Sequence, residues 1–215
     1  MESESHFGKD VLGSNSFPKK SRKKSNRDAF YEVWWPLISS TLGLRPLHMW
    51  DVGRRAQIQE GQKVLELGAG YPLWKMYSGR VGKTGTFIAL DVNETINKRS
   101  KKISQFLNLG KEKQSEQIIT ADTNSLPFLN DSVDIIITSG IDNLSTAEDI
   151  FKETFRVLKP EGRLISSEPC NPRLDTDILR KVGFTHIRQR LGTPFPLFMS
   201  LNRFVMASKP SSKDA

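Results

Sequence analysis

The residues best equipped for chemistry sit in "KVLELGAGYPLW" (63–74), where Glu66 closes an apolar run and Gly68 and Gly70 follow around Ala69. Glycines in such a turn let the backbone bend sharply and let a ligand approach where a Cβ would block it. Pro72 can open the next helix, because its missing N–H would have no partner there. A second acid, Asp91 in "TFIALD", stands about 20 residues further on, where a strand-end carboxylate can accept both hydroxyls of a ribose. This pattern is a cradle for a nucleoside-bearing cofactor.

Two cofactors meet that description, and a tight turn with no ligand is the bland third reading. A dinucleotide asks for G-x-G-x-x-G, whose third glycine would fall on Leu73, so that signature is absent. Glu66 would repel a pyrophosphate, whereas it suits an uncharged sugar and an ammonium. The balance points to S-adenosylmethionine. For Asp91 the competing reading is a cap on the helix that starts near Glu94; for Asp122 it is an ordinary turn aspartate.

The elements that must position these residues follow from periodicity. Buried strands are expected at 63–67, 86–91, 116–122, 133–139 and 162–168, and two more at 185–192 and 202–208. Helical patterns lie between them at 72–80, 94–108, 145–158 and 173–182, the last stopped by Gly183. Strands alternating with helices predict an α/β fold: a doubly wound, mostly parallel, seven-stranded Rossmann-like sheet with helices on both faces. An N-terminal helical cover spans 28–60, with pieces beginning near Ala29 and over 46–57. In such sheets ligands bind beyond the carboxyl ends of the strands, where the glycine turn falls.

With these motifs in order, the sequence resembles the class I S-adenosylmethionine-dependent methyltransferases, especially the group of quinone and lipid methyltransferases. The likeness covers roughly residues 55–208. "VLELGAG" is similar to the family's first motif and "ALDVN" to its ribose-binding acid. "ADTNSLPFLNDSVDIIITS" and "EDIFKETFRVLKPEGRLISSEP" are similar to its adenine-contact and fifth-strand segments. The resemblance implies that Glu66, Gly68, Ala69 and Gly70 line the methionine part. It implies that Asp91 holds the ribose, Val92 packs on the adenine, Asp122 accepts from the adenine amino group with Thr123 beside it, and Ser139 and Gly140 border the acceptor. Pro72 stands where the family often has a third glycine, a departure that bears on the shape of the methionine pocket.

Methyl transfer from a sulfonium needs alignment and exclusion of water more than it needs an acid or base. A base still helps a phenol or hydroxyl acceptor. Asp142, in "SGIDN" after the fourth strand, is the candidate that topology favours; His48 and His186 are weaker ones. The same loop lacks the [D/N]-P-P-[Y/F] turn common in relatives that methylate base and glutamine amino groups. Cys170 reads as a small packed residue. Phe30, Tyr31, Trp34 and Trp35, with Phe195, Leu197, Phe198 and Met199, can form an apolar lid over a small, lipophilic acceptor, or simply pack on the sheet.

The chain has 215 residues, enough for one domain with a full core. Its one cysteine excludes an intrachain disulfide and a cysteine-rich metal site, and no metal is expected. No secretory signal and no run near 18 apolar residues is found. These features fit a cytoplasmic protein. The net charge is +8, and half of it falls in residues 1–27, where "KKSRKKSNR" (19–27) holds six basic side chains and no acid. That run reads as a disordered tail able to touch an anionic membrane or RNA. Residues 28–208 are the methyltransferase domain and 209–215 a C-terminal tail. The alternatives to a small-molecule methyltransferase are an RNA-modifying enzyme and a methyltransferase-like protein that binds RNA or protein without catalysis.

Overall fold

The computed structural model describes residues 44–70, 74–107, 116–139, 144–169, 176–192 and 202–212. In chain order these hold α1 (Leu44–Ala56), β1 (Lys63–Leu67), α2 (Lys75–Ser78), β2 (Thr86–Asp91), α3 (Glu94–Leu107), β3 (Glu116–Thr120) and β4 (Val133–Ser139). α4 (Leu144–Val157), β5 (Leu158–Pro169), α5 (Thr176–Val182), β6 (Thr185–Leu191) and β7 (Asn202–Ser208) complete them. The seven strands form one sheet in the order β3-β2-β1-β4-β5-β7-β6. β1 to β5 pair in parallel, and β7 runs antiparallel between β5 and β6. The order reverses between β1 and β4, so the switch-point crevice opens beyond the end of β1.

Strand side chains alternate, and the central strands are buried on both faces. Leu65 and Leu67 of β1 join Ile88, Leu90 and Ile136 in a layer closed by α4 and α5 through Phe151 and Leu179. Val64 joins Phe87, Ala89, Ile135 and Ile137 on the other face, beneath Val52 and Ala56 of α1. Trp74 stacks on Phe87 with centroids 5.3 Å apart, and Tyr77 meets Phe87 edge-on at 5.8 Å. Each such fully buried ring stabilises the fold by about 1.5–3 kcal/mol. Glu66, one step along from Leu65, falls by alternation on the α1 and α2 face.

Several boundaries differ from the sequence expectation, each for a local reason. Of the helix expected at 72–80, the described part is a single α turn over Lys75–Ser78 followed by a 3-10 turn over Gly79–Val81. It ends where Gly82 takes φ 67° and its N–H reaches Gly79 O. β3 stops at Thr120 because Asp122 folds the chain into a turn through Asn124. β5 begins at Leu158, which pairs with Val133 across a register shift, so the "KPEG" turn lies inside the strand with Glu161 at φ 65°. α5 ends as expected at Gly183 (φ 111°), where the N–H groups of Gly183 and Phe184 return to Arg180 O and Leu179 O.

The C-terminal tail expected over 209–215 opens with Lys209. Lys209 exchanges backbone hydrogen bonds with Glu161 and Gly162. Its Nζ also reaches Asp131 Oδ1 (2.7 Å), Phe155 O (2.8 Å) and Leu158 O (2.9 Å). The side chain satisfies carbonyls at and just beyond the end of α4. The expected tail over 1–27, the first cover helix near Ala29, and the aromatic clusters at 30–35 and 195–199 lie outside the described residues.

Candidate functional site

The crevice is built by the ends of β1, β2 and β3 and the N-terminal half of α3. Gly68 (φ 72°) and Gly70 (φ 32°) both sit in the left-handed region, which favours glycine. The N–H groups of Gly68 and Ala69 donate to Leu90 O at 2.9 and 3.1 Å. Gly70 N–H donates to Asp91 Oδ2 at 3.1 Å. Among the described residues, a Cβ on Gly70 would meet only Gly68 O, at 3.7 Å.

Asp91 is half-buried at the end of β2, and its Oδ1 accepts from Asn93 N–H at 2.8 Å. It does not cap α3. Asn93 does, its Oδ1 accepting from Thr95 N–H (3.0 Å) and Ile96 N–H (3.3 Å). Val92 between them leaves 62% of its surface exposed, an apolar side chain standing beside a carboxylate at the rim. Asp122 is exposed, and its Oδ1 accepts from the backbone and the side chain of Asn124, both at 2.9 Å. Thr123 beside it is half-buried.

Glu66 is 3% exposed and accepts a hydrogen bond from the phenol of Tyr77 at 2.5 Å. Burial pushes its carboxyl up to about 8 against the opposing pull of that bond, so it is mostly protonated near neutral pH. Burial, and after it the Glu66 carboxyl, raise the Tyr77 phenol well above its usual range. Ser139 ends β4 opposite Ser167 of β5. Gly140, Asp142 and Cys170 lie outside the described residues, as do Tyr71 to Leu73. His186 opens β6, which runs parallel to β1, so it stands at the amino end of the sheet, away from the crevice.

Sequence reasoning missed the residues that hold the site in shape. Asn97 Nδ2 donates to Asp91 O (3.0 Å), Ile119 O (2.9 Å) and Thr120 Oγ1 (2.8 Å), tying the ends of β2 and β3 together. Ser100 Oγ donates to Gly70 O at 2.6 Å. Both side chains are buried on the inner face of α3, and polar residues on an apolar helix face were the available signal. Arg156 on α4 reaches Phe128 O, Leu126 O and Asn130 Oδ1, while Glu153 accepts from Leu126 N–H at 2.8 Å. Those two side chains brace the loop that carries Asp122. No group of three or more metal-binding side chains occurs among the described residues, and no helix there is long and apolar enough to cross a membrane.

An acid at the end of the second strand, an apolar side chain beside it and a glycine turn can hold a nucleoside by its ribose and one face of its base. The model of the ubiE/COQ5 methyltransferase family matches residues 36–186. A ubiquinone/menaquinone biosynthesis C-methyltransferase of Ectopseudomonas mendocina is 30% identical over 180 residues, covering 81% of this chain and 68% of that one. A demethylmenaquinone methyltransferase of Lactobacillus johnsonii is 34% identical over 124 residues, 55% of this chain and 50% of that relative. A SAM dependent methyltransferase from Aquifex aeolicus shares the fold, with a TM-score of 0.61 at 20% identity over 77% of this chain and 90% of that structure.

Proposed function

The chain belongs to the ubiE/COQ5 methyltransferase family, and on that premise we propose that it transfers a methyl group from S-adenosylmethionine to a ring carbon of a small, lipophilic, quinone-like acceptor. The observation that carries the cofactor half of this reading is the rim formed by Asp91 and exposed Val92 beside the Gly68–Gly70 turn. The acceptor half rests on relatives named for methylation in ubiquinone and menaquinone biosynthesis.

The cofactor supplies a methyl group already activated by its sulfonium. The chain's own residues bind and orient. Gly68, Ala69 and Gly70 form the backbone cradle at the methionine end, above the Glu66 carboxyl. The Asp91 carboxylate accepts from the ribose hydroxyls. Val92 covers one face of the adenine. Asp122 and Thr123 take its amino edge. Ser139 borders the space where the acceptor ring must lie within about 3–3.5 Å of the methyl carbon. Asp142 follows in the loop as the base that would take the proton from a ring hydroxyl or from the methylated carbon. An acceptor of this class partitions into membranes, and the basic run at 19–27 would hold the protein to an anionic bilayer by charge.

The test is transfer of label from methyl-labelled S-adenosylmethionine into a lipid extract, with Asp91→Ala as control and NMR of the labelled product. A carbon-bound methyl in the organic fraction, absent with the variant, is expected. Label confined to nucleic acid or protein fractions would overturn the acceptor assignment.

A further inference from the structure

Tyr77 is buried on α2, and its phenol donates to Glu66, two residues before Gly68. From Glu66 the chain leaves β1, passes through Gly68–Gly70, enters α2 and returns to Glu66 through the phenol, 11 residues on. Both side chains are buried. The bond therefore ties α2 to the end of β1 from which the glycine turn leaves. The phenol is itself held in place. Its ring packs edge-on against Phe87 at 68°. From above, α1 comes so close that a Cβ on Gly53 would stand 2.7 Å from Tyr77 Cβ. Glycine is unfavourable inside a helix, so Gly53 marks a place where close approach matters.

Among the described residues, Tyr77 is the polar group that meets Glu66. The strand neighbours of Glu66 in the sheet are Ala89 and Ile137, both apolar and buried. On α1 above, Asp51 is paired with Arg54 and Arg55. On α2, Lys75 is paired with Glu116. Arg80, just beyond, donates to Gly53 O.

We propose that Tyr77 is a positioning residue for the cofactor: its hydrogen bond to Glu66 clasps α2 to β1, sets the span of the glycine turn, and passes the packing of α1 at Gly53 on to the cradle. The proposal rests on S-adenosylmethionine being the cofactor. A strand end and a helix held together before the ligand arrives act on affinity rather than on the chemical step.

The test pairs calorimetric binding of S-adenosylmethionine with the titration of the Glu66 carboxyl followed by carbon NMR. Tyr77→Phe keeps the ring and removes the hydroxyl. It is expected to weaken binding about tenfold and to move the Glu66 midpoint upward, because the phenol's bond favours the ionised carboxylate. Gly53→Ala, which presses on the root of Tyr77, is expected to weaken binding in the same direction. Unchanged affinity in Tyr77→Phe would overturn the clasp. So would weaker affinity with an unmoved midpoint, because the hydroxyl would then act through another group. If the wild-type protein fails to bind S-adenosylmethionine, the cofactor reading falls and takes the clasp with it; a midpoint shift in Tyr77→Phe would show that the bond itself still stands.

Discussion

Gly70 and Asp91 form one unit: the backbone N–H of the first strand's turn lies 3.1 Å from a carboxylate oxygen at the end of the second. The acid that would meet the ribose also fixes the backbone that would meet the methionine end. Removing it has two effects at once. Asp91→Ala deletes the carboxylate and frees Gly70 N–H and Asn93 N–H. It is expected to weaken S-adenosylmethionine binding at least tenfold, with a loss of about 1–2 kcal/mol in stability from the two amide bonds. Calorimetry and thermal melting read the two effects separately, and equal cofactor affinity in variant and wild type would remove Asp91 from the ribose site.

The central strands were legible because burial on both faces leaves a continuous apolar signature. "VDIIITS" and "TFIALD" appear in the structure with the expected bounds. The glycine turn was legible because φ above zero restricts the residue type. The braces were not legible, since Asn97, Ser100 and Arg156 reach acceptors 22 or more residues away in sequence, on strand ends and on a loop whose path the sequence does not specify. Tyr77 was hidden for another reason. Its ring fills the apolar pattern of α2, and only the geometry shows that its hydroxyl answers a buried acid. The competing reading of Asp91 as the cap of α3 gives way to Asn93, which lies outside the strand and accepts from Thr95 and Ile96 N–H.

Arg156 and Glu153 act on the cofactor loop from α4. Arg156 holds three loop acceptors and is itself held by Glu153 at 2.8 Å. Arg156→Ala leaves the buried carbonyls of Leu126 and Phe128 without that donor. The expected cost is about 1–3 kcal/mol, which lowers the melting temperature by several degrees in a domain of this size. Binding of S-adenosylmethionine should weaken about threefold to tenfold, because the segment bearing Asp122 loosens. A variant that melts lower but binds normally would separate the brace from the adenine site.

The boundary of the domain can be tested by truncation. Lys209 is 14% exposed, with its Nζ on two carbonyls and the Asp131 carboxylate. A chain ending at Ser208 loses these bonds and the backbone pair to Glu161 and Gly162. A chain ending at Ser212 keeps them. The first is expected to be less stable by about 2–4 kcal/mol, read from urea midpoints, and the second to match the full chain. Equal midpoints for both truncations would place the start of the tail at residue 209.

The buried Glu66 carboxyl makes stability depend on pH in a defined window. Its ordinary value is 4.5 and burial raises it to about 8 in the folded chain. Between those values the unfolded chain releases a proton that the folded chain retains. Stability therefore falls as pH rises through the window, and levels off above about 8, where both forms are ionised. The slope cannot exceed about 1.4 kcal/mol per pH unit, so the whole effect is on the order of a few kcal/mol. Glu66→Gln removes the titration and keeps an acceptor for the Tyr77 hydroxyl. The unfolding free energy of the variant minus that of the wild type should rise from pH 5 to pH 8 and stay level at pH 9. A difference that is flat across the range would mean that Glu66 is ionised in the folded protein, and that the carboxylate has a cationic partner strong enough to overcome its burial.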